Sequence, residues 1–235
     1  MITLHIGTHK TGSKSIQSYI HENSIYMRAN GIAFYEGTHI NPSNHTELHL
    51  CCLRSERDSF AKYNWPNRNF GQAFQAHNIE RIRDFISNSP YENFIFSNED
   101  LSWLRFDDEL EALVKIFSNL NQPIRIIVFT RKKDDFLRSY RSQILKKPGR
   151  KPNDKPLSVL NCEYNSWVAD HASMIELYNR HFGQENVDLV SYDEEMTIHG
   201  NIVYSFWDRV CSNIPLPVSP DTYFRNVTHD IKSTL

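Results

Sequence analysis

Residues 4–20, LHIGTHKTGSKSIQSYI, decide how the rest of the chain is read. The stretch runs from alternating apolar residues into a turn bounded by Gly7 and Gly12. It then enters an amphipathic run with Ile16, Tyr19 and Ile20 at helical spacing. A glycine turn between a strand and a helix exposes backbone N–H groups that receive an anion. Gly7 and Gly12 let the backbone bend close to a phosphate. Ser13 and Ser15 add hydroxyl donors at the helix start, and Lys10 at the crown carries an ammonium over the anion. The nucleotide-hydrolase pattern G-x-x-x-x-G-K-[ST] is not met. The two glycines have the right separation, but Ser13 follows Gly12, and the lysines fall at Lys10 and Lys14.

The chain of 235 residues is long enough for one sizeable domain with a real core. Its formal net charge of -2 argues against a general nucleic-acid binder and leaves room for local basic patches. No apolar run approaches the roughly 20 residues needed to cross a bilayer. The start, MITLHIG, lacks a basic region, a long apolar core and a cleavage site, so it does not read as a signal peptide. Cys51, Cys52, Cys162 and Cys211 form no C-x-x-C pair, and adjacent cysteines bridge only with strain. They are read as free thiols in a reducing, cytoplasmic compartment.

Strands are expected at residues 2–6, 32–35, 93–97, 124–130 and 187–191. Helices are expected at 13–30, 73–87, 107–120, 134–146, 162–182 and 200–210. IRIIVFT, residues 124–130, has the β-branched run of a strand covered on both faces. Strands alternating with helices indicate an α/β fold with a central, mainly parallel sheet flanked by helices. The stretch 37–70 is polar and aromatic and reads as a long excursion holding one helix. A second elaborated loop, about 146–163, opens on KKPGRKPNDKP, too proline-rich to be helical. Residues 1–235 are read as one domain carrying these two loops.

A second constellation follows the strong strand: RKKDDFLRSYRSQ, residues 131–143. Arg131 stands where the strand ends, and Ser139 comes eight residues later on the next helix. A guanidinium offers a planar fork to phosphate, and a hydroxyl completes the cradle. Open parallel sheets bind ligands at the carboxyl ends of their strands, and Lys10 and Arg131 both lie just beyond such ends. Two anion cradles suit a nucleotide carrying phosphate at two places.

GTHKTGSKSIQ resembles the 5′-phosphosulfate loop of the PAPS-dependent sulfotransferases, in which a lysine precedes the second glycine; PAPS is 3′-phosphoadenosine 5′-phosphosulfate. Arg131 and Ser139 resemble that family's 3′-phosphate motif in spacing and setting. RKKDDFLRSYRSQ is most similar to the bacterial branch acting on carbohydrates or polysaccharides, and VDLVSYDEE, residues 187–195, resembles a late strand and turn of that branch. The resemblance implies a three-layer P-loop nucleotide-hydrolase-like fold and sulfuryl transfer from PAPS to a hydroxyl, with a carbohydrate as the expected acceptor. It implies that Gly7, Thr8, His9, Lys10, Thr11, Gly12, Ser13, Lys14 and Ser15, with Arg131 and Ser139, hold the donor. Adenosine 3′,5′-bisphosphate is then the product, and no metal is required, because protein donors take the charge. It also accounts for Lys10, since the loop lysine must reach the bridging oxygen that leaves with the adenosine bisphosphate.

The family usually has threonine or serine where this chain has Lys14. That lysine either replaces the hydroxyl with a charge, crowds the loop, or projects into solvent. Arg225, near the end of the chain, is a further candidate for the cofactor, although the usual glycine-rich loop near it is absent.

An acceptor hydroxyl must lose its proton, and the leaving phosphate needs positive stabilisation. Lys10 is the electrostatic candidate. Glu99 is the first choice for the base: it follows the strand NFIFS on the same rim, and SNED resembles the S-x-E of the bacterial branch. The plainer alternative is that Glu99 or Asp100 caps the next segment or pairs with a basic residue. His9 is the second candidate, against the plainer reading of a solvent-facing or turn-orienting histidine. His45 and His49 sit four apart without an evident third metal ligand and are read as substrate-contacting or surface residues. Tyr63, Trp65, Phe70 and Trp103 are either a sugar platform or core. Lys146, Lys147, Arg150, Lys151 and Lys155 either attract an anionic glycan or form a solvated loop. Two other functions stay open: a small-molecule kinase using ATP and magnesium held by Glu99 and Asp100, and a non-catalytic nucleotide- or glycan-binding relative, which Lys14 keeps in play.

Overall fold

The computed structural model describes residues 1–38 and 42–223. The fold is α/β, with a five-stranded parallel sheet in the order β2-β3-β1-β4-β5. The strands are β1 (Ile2–His5), β2 (Ile32–Phe34), β3 (Asn93–Ser97), β4 (Ile124–Thr130) and β5 (Val187–Ser191). The helices α1 (Ser13–Glu22), α2 (Ser24–Ala29), α9 (Tyr192–His199) and α10 (Ile202–Val210) lie on one face. The helices α3 (Thr46–Cys52), α5 (Gln72–Ser87), α6 (Asp107–Phe117) and α8 (His171–Phe182) cover the other. Two more, α4 (Phe60–Asn64) and α7 (Lys133–Leu145), share a smaller apolar cluster with Trp103.

Alternate residues of the strands serve opposite faces, as strand geometry requires. Leu4, Phe96, Ile126 and Val128 pack with Leu48, Ile82, Leu113 and Met174 on one side. Ile95, Ile127, Phe129 and Val190 pack with Ile16, Ile20, Phe206 and Trp207 on the other. This double cover is why β4 reads as a continuous apolar run. β1 lies between β3 and β4, and its following helix leads to β2 on one side while the chain later continues to β4 on the other. The segments after β1, β3 and β4 therefore meet at the reversal of strand order, where open α/β sheets place ligands.

Local capping shifts several expected boundaries. The expected helix over 13–30 is two helices, broken at Asn23, whose Nδ2 donates to the Tyr19 carbonyl at 2.8 Å. The expected helix over 162–182 starts only at His171, after Asp170 accepts the Ser173 N–H at 3.1 Å. The excursion 37–70 holds two helices, α3 and α4, the second capped by Ser59. The segment after β5 is α9 rather than a turn, capped by Ser191 and carrying Asp193, Glu194 and Glu195 in its first turn. All four cysteines are free and buried, and burial pushes the Cys51 and Cys211 thiols up to about 12. Among the described residues no helix is long and apolar enough to cross a membrane.

Candidate functional site

The loop after β1 is shaped by positive φ at Gly7 (61°), Lys10 (69°) and Gly12 (78°). A non-glycine residue in that region is uncommon, and it places Lys10 at the crown. A Cβ on Gly7 would stand 2.9 Å from Ser13 Oγ and 3.1 Å from Glu99 Cβ. One on Gly12 would stand 2.6 Å from Ile202 Cγ2. The glycines are thus needed both for their dihedral angles and for close approach. The loop is fastened to β4 by the Thr8 N–H, which donates to the Phe129 carbonyl at 2.6 Å. Thr11 Oγ1 closes the turn on the Thr8 carbonyl at 2.6 Å.

The loop leaves donor groups unpaired. The Ser13 hydroxyl is buried with no hydrogen-bond partner, and the N–H groups of Ser13 and Lys14 precede the first bonds of α1, which run from Ser15 and Ile16 to the Gly12 carbonyl. Lys10 is half-buried, and its pKa is lowered by burial first, then by Lys146, Lys14 and Arg131, with Glu99 opposing. Lys14 is exposed yet close enough to act on Lys10, so it adds charge beside the loop without being packed into it. Ser15 is buried behind the loop.

Arg131 stands at the end of β4, its Nε 3.5 Å from Asp193 Oδ1 and its guanidinium 5.3 Å over the Tyr192 ring. Asp193 Oδ2 also accepts the Lys132 N–H at 2.8 Å. Ser139 follows two turns along α7 and is half-buried. Arg131 is thus on the rim that holds Lys10, and it contributes to the cation excess felt there.

Glu99 opens a short 3₁₀ turn, Glu99–Trp103, directly after β3. Its Oε2 accepts from Gln17 Nε2 at 2.8 Å and from Asn44 Nδ2 at 3.3 Å. Gln17 also donates to Ser97 Oγ at 3.2 Å, and Ser97 Oγ meets His5 Nδ1 at 2.8 Å. A buried polar chain therefore runs from His5 to Glu99, and burial lowers the His5 pKa to about 4. The sequence reading missed Gln17, Asn44, Tyr192 and Asp193. The available signal for Gln17 was a polar side chain between Ile16 and Ile20 on a buried helix face.

Several expectations are corrected. His9 does not face solvent: it is 3% exposed, stacked on Trp103 at 4.2 Å and edged by Phe60 and Tyr140, both at 5.7 Å. Its Nε2 lies 3.1 Å from Asp100 Oδ1, while Asp100 Oδ2 lies 3.9 Å from His49 Nδ1. His45 and His49 are fully buried, not surface residues. His45 Nδ1 accepts the Ser97 N–H at 2.9 Å, and burial lowers its pKa to about 3. Among the described residues no group of three or more His, Cys, Asp or Glu side chains is set to hold a metal ion. Of the four aromatics, Trp103 is core, Phe70 packs on Phe74, Trp65 is half-buried, and Tyr63 is the exposed one. Arg225 lies outside the described residues.

No family model matches the chain, and no curated protein matches it. Among solved structures it is similar to a sulfotransferase from Alicyclobacillus acidocaldarius, at 13% sequence identity and a TM-score of 0.58. That match covers 95% of this chain and 85% of the other. The chain therefore has the fold of a sulfotransferase.

Proposed function

We propose that this protein transfers a sulfuryl group from PAPS to an acceptor hydroxyl, with a carbohydrate as the acceptor class. The observation that carries the reading is the loop after β1, where Lys14 and Arg131 both act on Lys10, the Ser13 hydroxyl is unpartnered, and Glu99 stands beside Gly7. This donor set fits a phosphosulfate: a glycine cradle, a free hydroxyl, helix N–H groups and ammonium charge. Bound PAPS supplies an activated sulfuryl group, whose sulfur bonds to the acceptor oxygen as its bond to the phosphate oxygen breaks.

Lys10 holds the phosphate oxygen that takes the electron pair, so the leaving charge develops against an ammonium already in place. Burial and neighbouring cations make Lys10 costly to protonate when the site is empty, and an incoming anion relieves that cost. Glu99 takes the acceptor proton. Its Oε2 is pinned by Gln17 and Asn44, which leaves Oε1 for the hydroxyl. Arg131 and Ser139 take the 3′-phosphate, and Asp193 yields Arg131 to it. His9 serves the loop from inside its aromatic box.

The test has two arms. Adenosine 3′,5′-bisphosphate should raise the melting temperature and ATP with magnesium should not, since only a ligand of the native state stabilises it. With a polysaccharide panel and labelled PAPS, Lys10→Ala should abolish transfer. Glu99→Gln should lower it by about 10²–10⁴, the span of a lost general base, while adenosine bisphosphate binding survives. Wild-type rates in Glu99→Gln would remove that residue from the mechanism. A stabilising response to ATP with magnesium alone would favour a kinase.

A further inference from the structure

The lysine-rich segment after α7 is part of the wall of the site. Tyr140 on α7 brings its ring to 5.7 Å from His9, beside Lys10. Beyond the helix, Arg150 lies 4.7 Å over the ring of Phe60, which itself stands 5.7 Å from His9. Arg150 also donates to Asn64 Oδ1 at 2.6 Å. The segment between Tyr140 and Arg150 thus starts against His9 and ends on Phe60, a ring that also edges His9. Asp58 ties the two long excursions together, accepting from Tyr63 and Ser158 hydroxyls and the Val159 N–H, each at 2.8 Å.

Arg150 is committed to this anchoring, but its neighbours are not. Lys146, Lys147, Lys151 and Lys155 are exposed, and none forms an ion pair with a described residue. Lys146 is near enough to act on Lys10. The donor's anionic groups are matched by Lys10, Lys14 and Arg131, so these four ammonium groups exceed what the donor needs. The chain as a whole carries a formal charge of -2, so the patch is a local feature. One exposed ring borders it: Tyr63, 41% exposed, has its ring centre 5.8 Å from the Arg150 guanidinium. Clustered unpaired cations repel one another and raise the local concentration of a polyanion.

We propose that this wall receives an anionic acceptor: a polysaccharide bearing carboxylate or sulfate groups along the chain that carries the reacting hydroxyl. The inference rests on the sulfuryl-transfer reading and names its substrate class. The spread of the lysines over residues 146–155 fits repeated charges rather than one, and the exposed Tyr63 ring beside them fits a sugar.

The test uses the full chain, polygalacturonate, neutral dextran and a single-stranded DNA of similar charge density. Direct binding is measured beside labelled sulfate transfer, from about 0.1 to 1 M salt, where the screening length shrinks from about 10 to 3 Å. Polygalacturonate should bind and accept sulfate, dextran should do neither well, and salt should erase the difference. The triple variant Lys147→Ala, Lys151→Ala, Lys155→Ala leaves Lys146 and the phosphate loop intact. It should lose affinity for polygalacturonate about tenfold, as expected of several exposed charge pairs, with its thermal response to adenosine 3′,5′-bisphosphate unchanged. Equal binding by the triple variant, or dextran serving as well as polygalacturonate, overturns this inference alone. Preference for the DNA overturns the saccharide assignment. No thermal response of the wild type to adenosine 3′,5′-bisphosphate overturns the sulfuryl-transfer reading instead.

Discussion

Gly12→Ala should damage the protein in a way that Gly31→Ala does not, and the pair isolates how tightly the loop after β1 is built. Both glycines hold positive φ, 78° at Gly12 and 80° at Gly31. An alanine in that region costs about 1–2 kcal/mol, so the backbone penalty is common to both. The surroundings differ. A Cβ at Gly31 meets nothing within 4 Å, whereas one at Gly12 lies 2.6 Å from Cγ2 of Ile202. Ile202 is 3% exposed in the first turn of α10, so it has little room to retreat. Overpacking of this kind adds about 1–3 kcal/mol. Gly31→Ala should therefore cost about 1–2 kcal/mol and Gly12→Ala about 2–5 kcal/mol. At about 2–4 °C per kcal/mol for a chain of this size, thermal melts separate them, and urea unfolding gives the free energies. Gly12→Ala should also weaken adenosine 3′,5′-bisphosphate, which Gly31→Ala leaves alone. Ile202→Ala removes the clashing methyl, so the double variant should recover about 1–3 kcal/mol relative to additivity. Equal losses in the two single variants, or strict additivity in the double, would refute the close-packed loop.

Two further outcomes follow from buried polar groups. Gln17→Leu removes the donor that fixes Glu99 Oε2, so turnover should fall about tenfold, the equivalent of one hydrogen bond, while KM for PAPS holds; a change in KM alone would contradict the positioning role. His5 and His171 are held to about 4 and His45 to about 3, all by burial, so the folded state keeps them neutral where the unfolded chain takes up protons. Their contribution is fully present above the unfolded value near 6.5 and is lost as pH falls toward the folded values, by up to about 1.4 kcal/mol per pH unit for each. Urea midpoints between pH 7 and 4 measure this, and a flat profile would refute it.

The strands were legible because each is an apolar or β-branched run bounded by turn residues, and double cover of the sheet leaves no polar face to confuse the pattern. The rim positions of Lys10, Glu99 and Arg131 were legible because they follow strand ends, which are fixed by sequence position once the strands are known. Helix starts were less so. Asn23, Asp170 and Ser191 each redirect the chain through one side-chain hydrogen bond that competes with the apolar period. VDLVSYDEE shows the effect plainly, since Ser191 and three acids begin a helix where the family resemblance suggests a turn.

The histidines were misread for a different reason, and the reason bears on how the loop works. Nothing near His9 in sequence is aromatic, yet its ring is enclosed by Trp103, Phe60 and Tyr140, which arrive from three separate segments. Burial of that kind depends on α4 and α7 closing over the loop, which no local pattern encodes. The same closure sets Arg150 over the Phe60 ring and leaves Lys146 near enough to act on Lys10. Lys10, the next residue, has a φ of 69°, a conformation worth about 1–3 kcal/mol of strain. A loop with only its glycines to shape it would relax that lysine. The aromatic box around His9 and its 3.1 Å contact with Asp100 fix the adjoining residue, which limits how far the Lys10 backbone can relax.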